Sequence, residues 1–233
     1  TFAKPLADNL IKRDFNFVPL TNGGCYFFPN FDYIDYLTQK VMFGCNVNYQ
    51  NKRLDLISKK EKPIVIIGGN LNRYLSNVDI NNIKSSFIFH DNDDLLSESL
   101  ISSIRDLLNR DVKVILIYPI PEIPWDPLSK IFQSSNSRNF KQVLDFISNN
   151  KISISYEDYF TRSKKSFETL DKINHKNLFK IYPHLIFCND LNGKNCPIHN
   201  DKNIFYYDSE HLSIVGATLL QESILKVIDN LNY

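Results

Sequence analysis

Residues 112–121 read VKVILIYPIP. From Val114 to Tyr118 every side chain is apolar or aromatic, and prolines stop the run. An amphipathic strand alternates, and a surface helix repeats every three or four residues; this run does neither. It has the pattern of a strand covered on both faces, as strands of parallel sheets are. A second run of the same kind, KPIVIIGGN (62–70), ends in two glycines. Between them, DDLLSESLISSIRDLLNR (93–110) puts apolar residues at 95, 96, 100, 101, 104, 107 and 108. That is one helical stripe, with Asp93 and Asp94 suited to the positive end of the helix dipole.

Working outward, the same two patterns recur. FNFVPL (15–20), NLFKIYP (177–183) and NIFYY (203–207) read as strands. NVNYQNKRLDLISKK (46–60), a polar stretch at about 135–150 and the segment from Ile214 read as helices, and KISISYEDYF (151–160) and a mostly polar helix come before NLFKIYP. Short apolar strands alternating with amphipathic helices predict an α/β fold, a three-layer α/β/α sandwich around a mostly parallel sheet. With no repeat and no linker, residues 1–233 are expected to form a single domain.

The 233 residues are 43% hydrophobic, enough for one sizeable core. Lys+Arg and Asp+Glu nearly cancel, at 27 against 26, and a net charge of +1 offers no basic footprint for nucleic acid. No apolar run approaches the roughly 18 residues that a bilayer requires. The four cysteines fall as two close pairs, Cys25 with Cys45 and Cys188 with Cys196. Two disulfides, each stabilising by roughly 3 kcal/mol, would place the chain in an oxidising compartment. The competing use, a zinc site from Cys188, Cys196 and His199, lacks the short Cys-x(2–4)-Cys spacing of structural zinc. No metal is expected.

In a parallel α/β sheet, reactive groups gather beyond the carboxyl ends of the strands. Three stretches occupy such positions: TNGGC (21–25), GGN (68–70) and DSEH (208–211). His211 is suited to take a proton from a hydroxyl nucleophile, and Asp208 to fix its tautomer. Asn70 and a glycine N–H, Gly24 rather than Gly23, are suited to bind an oxyanion. Each piece alone is more often an ordinary turn. Trp125 offers an indole for a sugar face, although a packed loop tryptophan is the commoner case. His90, His175 and His184 carry no partner pattern.

The blocks GGCYFFPN, PIVIIGGNLNRY, LIYPIPEIPWDP, FCNDLNGKNC and YYDSEHLSIVGA, in that order, resemble the SGNH hydrolase fold, flavodoxin-like in arrangement. They resemble more closely the extracytoplasmic SGNH domain of acyltransferase-3-type membrane proteins that O-acetylate bacterial surface polysaccharides such as the lipopolysaccharide O-antigen. The terminal block, with its Asp-x-x-His-Leu-Ser-x-x-Gly-Ala pattern, is the most specific. The resemblance implies Asp208 and His211 as members of a Ser–His–Asp triad and Asn70 and Gly24 as oxyanion donors.

The family's nucleophile stands in a Gly-Asp-Ser block between the first strand and a helix, and this sequence contains no such block. TFAKPLADNLIKR (1–13) has the stripe Phe2, Leu6, Leu10 and Ile11, and it resembles the helix that follows that block. The expectation is therefore a domain truncated just after its nucleophile, with the serine upstream of Thr1. Ser58, Ser86 and Ser213 lack the strand–turn–helix setting.

The resemblance implies a periplasmic or otherwise extracytoplasmic domain at the bacterial inner membrane, linked covalently to a transmembrane acyltransferase module. It would move an acyl group, acetyl by the likeness, onto a carbohydrate hydroxyl. Acetyl-CoA would be the ultimate donor, and the domain itself would bind no cofactor. The alternatives are a stand-alone esterase or sugar deacetylase and a catalytically silent glycan-binding module.

Overall fold

The computed structural model describes residues 3–35, 38–42, 44–75, 87–88, 93–136, 139–188 and 194–231. In chain order the elements are α1 (Ala3–Ile11), β1 (Ile34–Asp35), α2 (Val47–Ser58), β2 (Ile64–Ile67) and α3 (Asn72–Leu75). There follow β3 (Phe87–Ile88), α4 (Asp93–Asn109), β4 (Lys113–Ile117), α5 (Pro127–Ser135) and α6 (Phe140–Asn149). The chain ends with β5 (Ser153–Ser155), α7 (Tyr156–Asp171), β6 (Leu178–Ile181), α8 (His184–Phe187), β7 (Asn195–Pro197) and α9 (Ile214–Asp229). Among the described residues no helix is long and apolar enough to cross a membrane.

The chain gathers into two compact units. The sheet unit comprises Leu20–Pro119 and Arg162–Ile181; the terminal unit comprises Thr1–Pro19, Ile120–Thr161 and Tyr182–Tyr233.

The sheet unit holds the parallel sheet, in the order β2-β4-β6. Ile64 to Ile67 pair with Lys113 to Leu116, and Val114 to Ile117 pair with Leu178 to Ile181. The unbroken run at 114–117 sits in the middle and is buried throughout, whereas β2 and β6 are buried only at their last residue. Helix α4 packs on β4. Its stripe buries Leu96, Leu100, Ile101, Ile104, Leu107 and Leu108, each stabilising by roughly 2 kcal/mol, while Leu95 at the first turn stays exposed. The helix stops where Asp111 turns left-handed (φ 61°) and Val112 N–H reaches back to Leu107 O at 3.1 Å. The next residue opens β4.

Helix α7 reads as mostly polar because it buries Ser163, Ser166 and Thr169 along with Tyr159, Phe167 and Leu170. Ser163 Oγ accepts from Asn72 Nδ2 at 3.0 Å, Ser166 Oγ donates to Asn72 Oδ1 at 2.8 Å, and Thr169 Oγ1 donates to Ser97 Oγ at 3.0 Å. Each buried hydroxyl has a partner, which is what makes such a face tolerable.

Two expected strands are not strands of this sheet. Residues 15–20 are irregular. Helix α1 ends on Asp14 in the left-handed region (φ 61°), Phe15 N–H returns to Leu10 O at 3.0 Å, and Pro19 has no N–H to give. Residues 203–207 are extended but pair antiparallel through single bridges, Ile204 with His199 and Tyr206 with Leu212. The polar stretch at about 135–150 resolves into the end of α5, capped by Asn136 in the left-handed region (φ 49°), and α6. Of the stripe on the first helix, Leu6 and Leu10 are buried, Ile11 is exposed and Phe2 lies outside the described residues.

Candidate active site

The turn DSEH is built by one carboxylate. Asp208 Oδ1 accepts the backbone N–H of Glu210 at 2.8 Å and of His211 at 2.7 Å. These bonds close an Asx turn, the local structure that aspartate favours. The same carboxylate faces the imidazole, with His211 Nδ1 at 2.9 Å from Oδ1 and 2.8 Å from Oδ2. Nδ1 is therefore the protonated nitrogen, and Nε2 is left with its lone pair. The His211 side chain is 59% exposed and that of Asp208 37%, so the dyad lies open to a reactant. Partial burial pushes the Asp208 carboxyl up. The N–H of Glu210, the His211 ring and the N–H of His211 outweigh it and hold the pKa below the ordinary carboxylate value. The aspartate thus stays ionised beside the ring, the charge state that orients and stabilises an imidazolium.

The residues after the turn fasten it to the terminal unit. Tyr207 N–H donates to His211 O at 2.8 Å, and Ser213 N–H donates to Phe205 O at 2.8 Å. Leu212 is buried, and Ser213 caps α9 by accepting Gly216 N–H at 3.2 Å while its hydroxyl donates to Ile204 O at 2.7 Å. Gly216 is required here: a Cβ at this position would stand 2.2 Å from Phe205 O. Asp208, Leu212, Ser213 and Gly216 of DSEHLSIVGA each have a task in this junction.

Helices α1 and α9 pack side by side and run parallel. Gln221 Nε2 donates to Pro5 O at 3.1 Å, and Arg13 Nε pairs with Asp229 Oδ1 at 2.9 Å. Both contacts advance eight residues along each helix, or about 12 Å at the α-helical rise. The N-terminal ends of the two helices therefore lie at the same end of the pair, the end at which Ser213 follows His211. Gly216 is the glycine of the Asp-x-x-His-Leu-Ser-x-x-Gly-Ala pattern. Gln221 was not anticipated, and a buried glutamine offers no signal in the sequence.

Gly24 and Asn70 belong to the sheet unit. Gly24 is the third residue of the turn Asn22–Cys25, closed by Cys25 N–H to Asn22 O at 3.0 Å, and its φ of 67° suits glycine. Its carbonyl accepts Tyr74 Oη–H at 2.9 Å. Asn70 Oδ1 accepts Arg73 N–H at 3.1 Å ahead of α3, so what the amide has to offer a ligand is its donor end. The cysteines are joined as Cys25–Cys45 and Cys188–Cys196. His199 accepts Ile152 N–H on Nε2 at 3.1 Å and faces Asn200 O with Nδ1 at 3.0 Å, both within the protein. His184 packs among the rings of Tyr156, Tyr159 and Tyr182, and burial lowers its pKa. His90 and Ser86 lie outside the described residues.

Comparison with known proteins adds two findings. The model of a family described as "SGNH domain (fused to AT3 domains)" matches residues 1–226. The periplasmic domain of a lipopolysaccharide acetyltransferase from Salmonella ser. Paratyphi A shares the fold, with a TM-score of 0.56 and 18% identity. The alignment covers 97% of this chain and 77% of that one. No curated protein matches the sequence.

Proposed function

Since the chain belongs to the family of SGNH domains fused to AT3 domains, we propose that it is the acyl-transferring domain of an O-acetyltransferase acting on a cell-surface polysaccharide. Under this reading a linked AT3 module draws the acetyl group from acetyl-CoA and delivers it outside the cytoplasm. The two disulfides fit that oxidising location.

The observation that carries the reading is the parallel packing of α1 and α9. The family's nucleophile directly precedes the helix that α1 resembles. A chain entering α1 comes in at the end of the helix pair where His211 stands. A serine a few residues upstream of that helix would thus approach Nε2, the nitrogen that Asp208 leaves as the base. Nε2 takes the hydroxyl proton as the serine oxygen forms a bond to the acyl carbonyl carbon. It returns the proton to the departing group, leaving an acyl-serine. In the second half, Nε2 takes the proton of a sugar hydroxyl as the sugar oxygen bonds to the acyl carbon, and returns it to the serine oxygen as the acyl-serine bond breaks. Asn70 and Gly24 receive the oxyanion-donor roles from their match to the family's motif alone.

The test uses a small activated ester. A longer chain with an upstream Gly-Asp-Ser block should hydrolyse p-nitrophenyl acetate, and His211→Ala should lower that rate by on the order of 10³-fold. Residues 1–233 alone should leave the ester untouched. If residues 1–233 hydrolyse it and His211→Ala abolishes the activity, the nucleophile lies inside this sequence and the reading fails.

A further inference from the structure

Trp125 is the one tryptophan of the chain and sits half-buried. Among the described residues it forms no hydrogen bond and no ring contact. Yet the backbone around it is firmly held. Pro121, Pro124 and Pro127 fix φ on both sides, and Pro121, Ile123 and Pro127 are buried. Asp126 caps α5 through Ser129 N–H at 2.6 Å. A large apolar ring kept at the surface on a stiff, anchored backbone loses little conformational freedom when something stacks on it.

The anchoring also fixes where the ring lies. Ile123 N–H donates to Ser209 O at 3.0 Å, and Ser209 is inside the Asp208–His211 turn. Trp125 is two residues from one end of that bond and His211 two residues from the other. At the reach of an extended chain their Cα atoms are no more than about 20 Å apart. A short run of linked sugars covers that span. The exposed Asp126, next in the chain, adds a carboxylate, an acceptor of the kind that pairs with sugar hydroxyls.

We propose that Trp125 is a stacking platform for a pyranose ring of the acceptor polysaccharide, holding a sugar near the one whose hydroxyl is acylated at His211. The C–H face of the sugar would lie on the indole, with Asp126 taking a hydroxyl. This assignment rests on the carbohydrate acceptor proposed above.

The chain's single indole makes the test direct. The probe is surface polysaccharide from the source organism, stripped of its O-acetyl groups with dilute base. Titrated into residues 1–233, it should blue-shift the tryptophan emission saturably, because stacking removes the ring from water. Affinity measured by calorimetry should fall about tenfold or more in Trp125→Ala and threefold or less in Trp125→Phe, which keeps a ring. Urea denaturation of each variant separates a lost platform from a lost fold. Binding with unmoved emission, a Trp125→Ala affinity within twofold of the unaltered chain, or no binding at all would overturn the proposal. The ester assay above involves no sugar, so the two readings fail separately. His211-dependent hydrolysis alongside Trp125-independent binding removes only the platform. Trp125-dependent binding without hydrolysis removes only the transferase.

Discussion

The turn at 208–213 and the glycine loop at 22–26 are held in different ways. At the turn, the bonds of Asp208 reach no farther than His211 and Ser213 reaches back nine residues to Ile204, while one bond, Ile123 N–H to Ser209 O, comes from far along the chain. The loop depends on distant partners. Tyr74 reaches Gly24 O across 50 residues, Gln50 Nε2 reaches Tyr26 O at 2.9 Å, Arg53 reaches Cys25 O at 3.3 Å, and Cys45 closes the disulfide. Tyr26, Phe28, Tyr33 and Tyr74 then pack ring on ring, with Tyr33 and Tyr74 edge to face at 5.6 Å. A locally closed structure keeps its geometry if its few residues are present. A structure closed over long range exists only when the surrounding unit is folded.

The largest effect should come from a point where the turn does depend on close packing. Gly216→Val would force a side chain against Phe205 O, a backbone atom that cannot swing aside. The expected loss exceeds about 3 kcal/mol in urea denaturation, beyond the usual cost of overpacking because the clash is with the main chain. A loss under about 1 kcal/mol would show that the junction between residue 205 and α9 is loose, and the contrast between the two regions would weaken.

Next comes the disulfide. Cys25→Ala with Cys45→Ala should cost about 3 kcal/mol, since it frees a 20-residue loop in the unfolded chain. Under native conditions, hydrogen exchange at Glu210 and His211 should stay as slow as in the unaltered protein, because neither amide leans on that loop. Faster exchange at those two amides would break the distinction.

This contrast also explains what can be read from sequence. Residues 113–117 and 93–109 are legible because a continuous apolar run and a 3.6-residue stripe each state their own burial. The turn at 208–211 is legible because Asp, His and Ser act on neighbours. The residues 15–20 carry the same apolar signal as a strand, but nothing local says that no described strand will pair with them. Residues 203–207 are extended as expected, and only the tertiary fold decides that their partners are 198–199 and 212–213. The buried face of α7 is hidden for a related reason: its serines and threonine find partners on Asn72 and Ser97, far away in sequence. The site divides along the same line. The Asp208–His211 pair shows itself in four letters, whereas the parallel run of α1 beside α9 rests on Gln221 and Pro5, 216 residues apart.

A smaller effect tests the long-range side at a single atom. Tyr74→Phe keeps the rings and removes the hydroxyl that bonds Gly24 O. The expected cost is about 1 kcal/mol, the usual net value of one hydrogen bond, measured by urea denaturation. Tyr74→Phe and the disulfide variant should not add, because both act on the same loop.

The smallest effect is electrostatic, and its pH dependence sets the two regions apart. The folded pKa of Asp208 lies below that of an ordinary carboxylate, so the ionised form favours the folded state. That stabilisation is complete above the unfolded value, near 3.9, and is lost as the pH falls through the lower folded value. Because more than a third of the side chain is exposed, solvent screening keeps it under about 1 kcal/mol. Asp208→Asn isolates the charge, since asparagine also closes an Asx turn on the same backbone N–H groups. Unaltered protein should therefore exceed Asp208→Asn in stability at pH 7, and the gap should close as the pH falls below about 4. The gap between unaltered protein and Tyr74→Phe involves no ionisation and should stay constant over the same range. A Tyr74→Phe gap that shrinks with acid would tie the loop to a carboxylate. An Asp208→Asn gap that does not narrow at all with falling pH would mean that the charge of Asp208 adds nothing to the hold of the turn, leaving His211 without a charged partner to steady its proton.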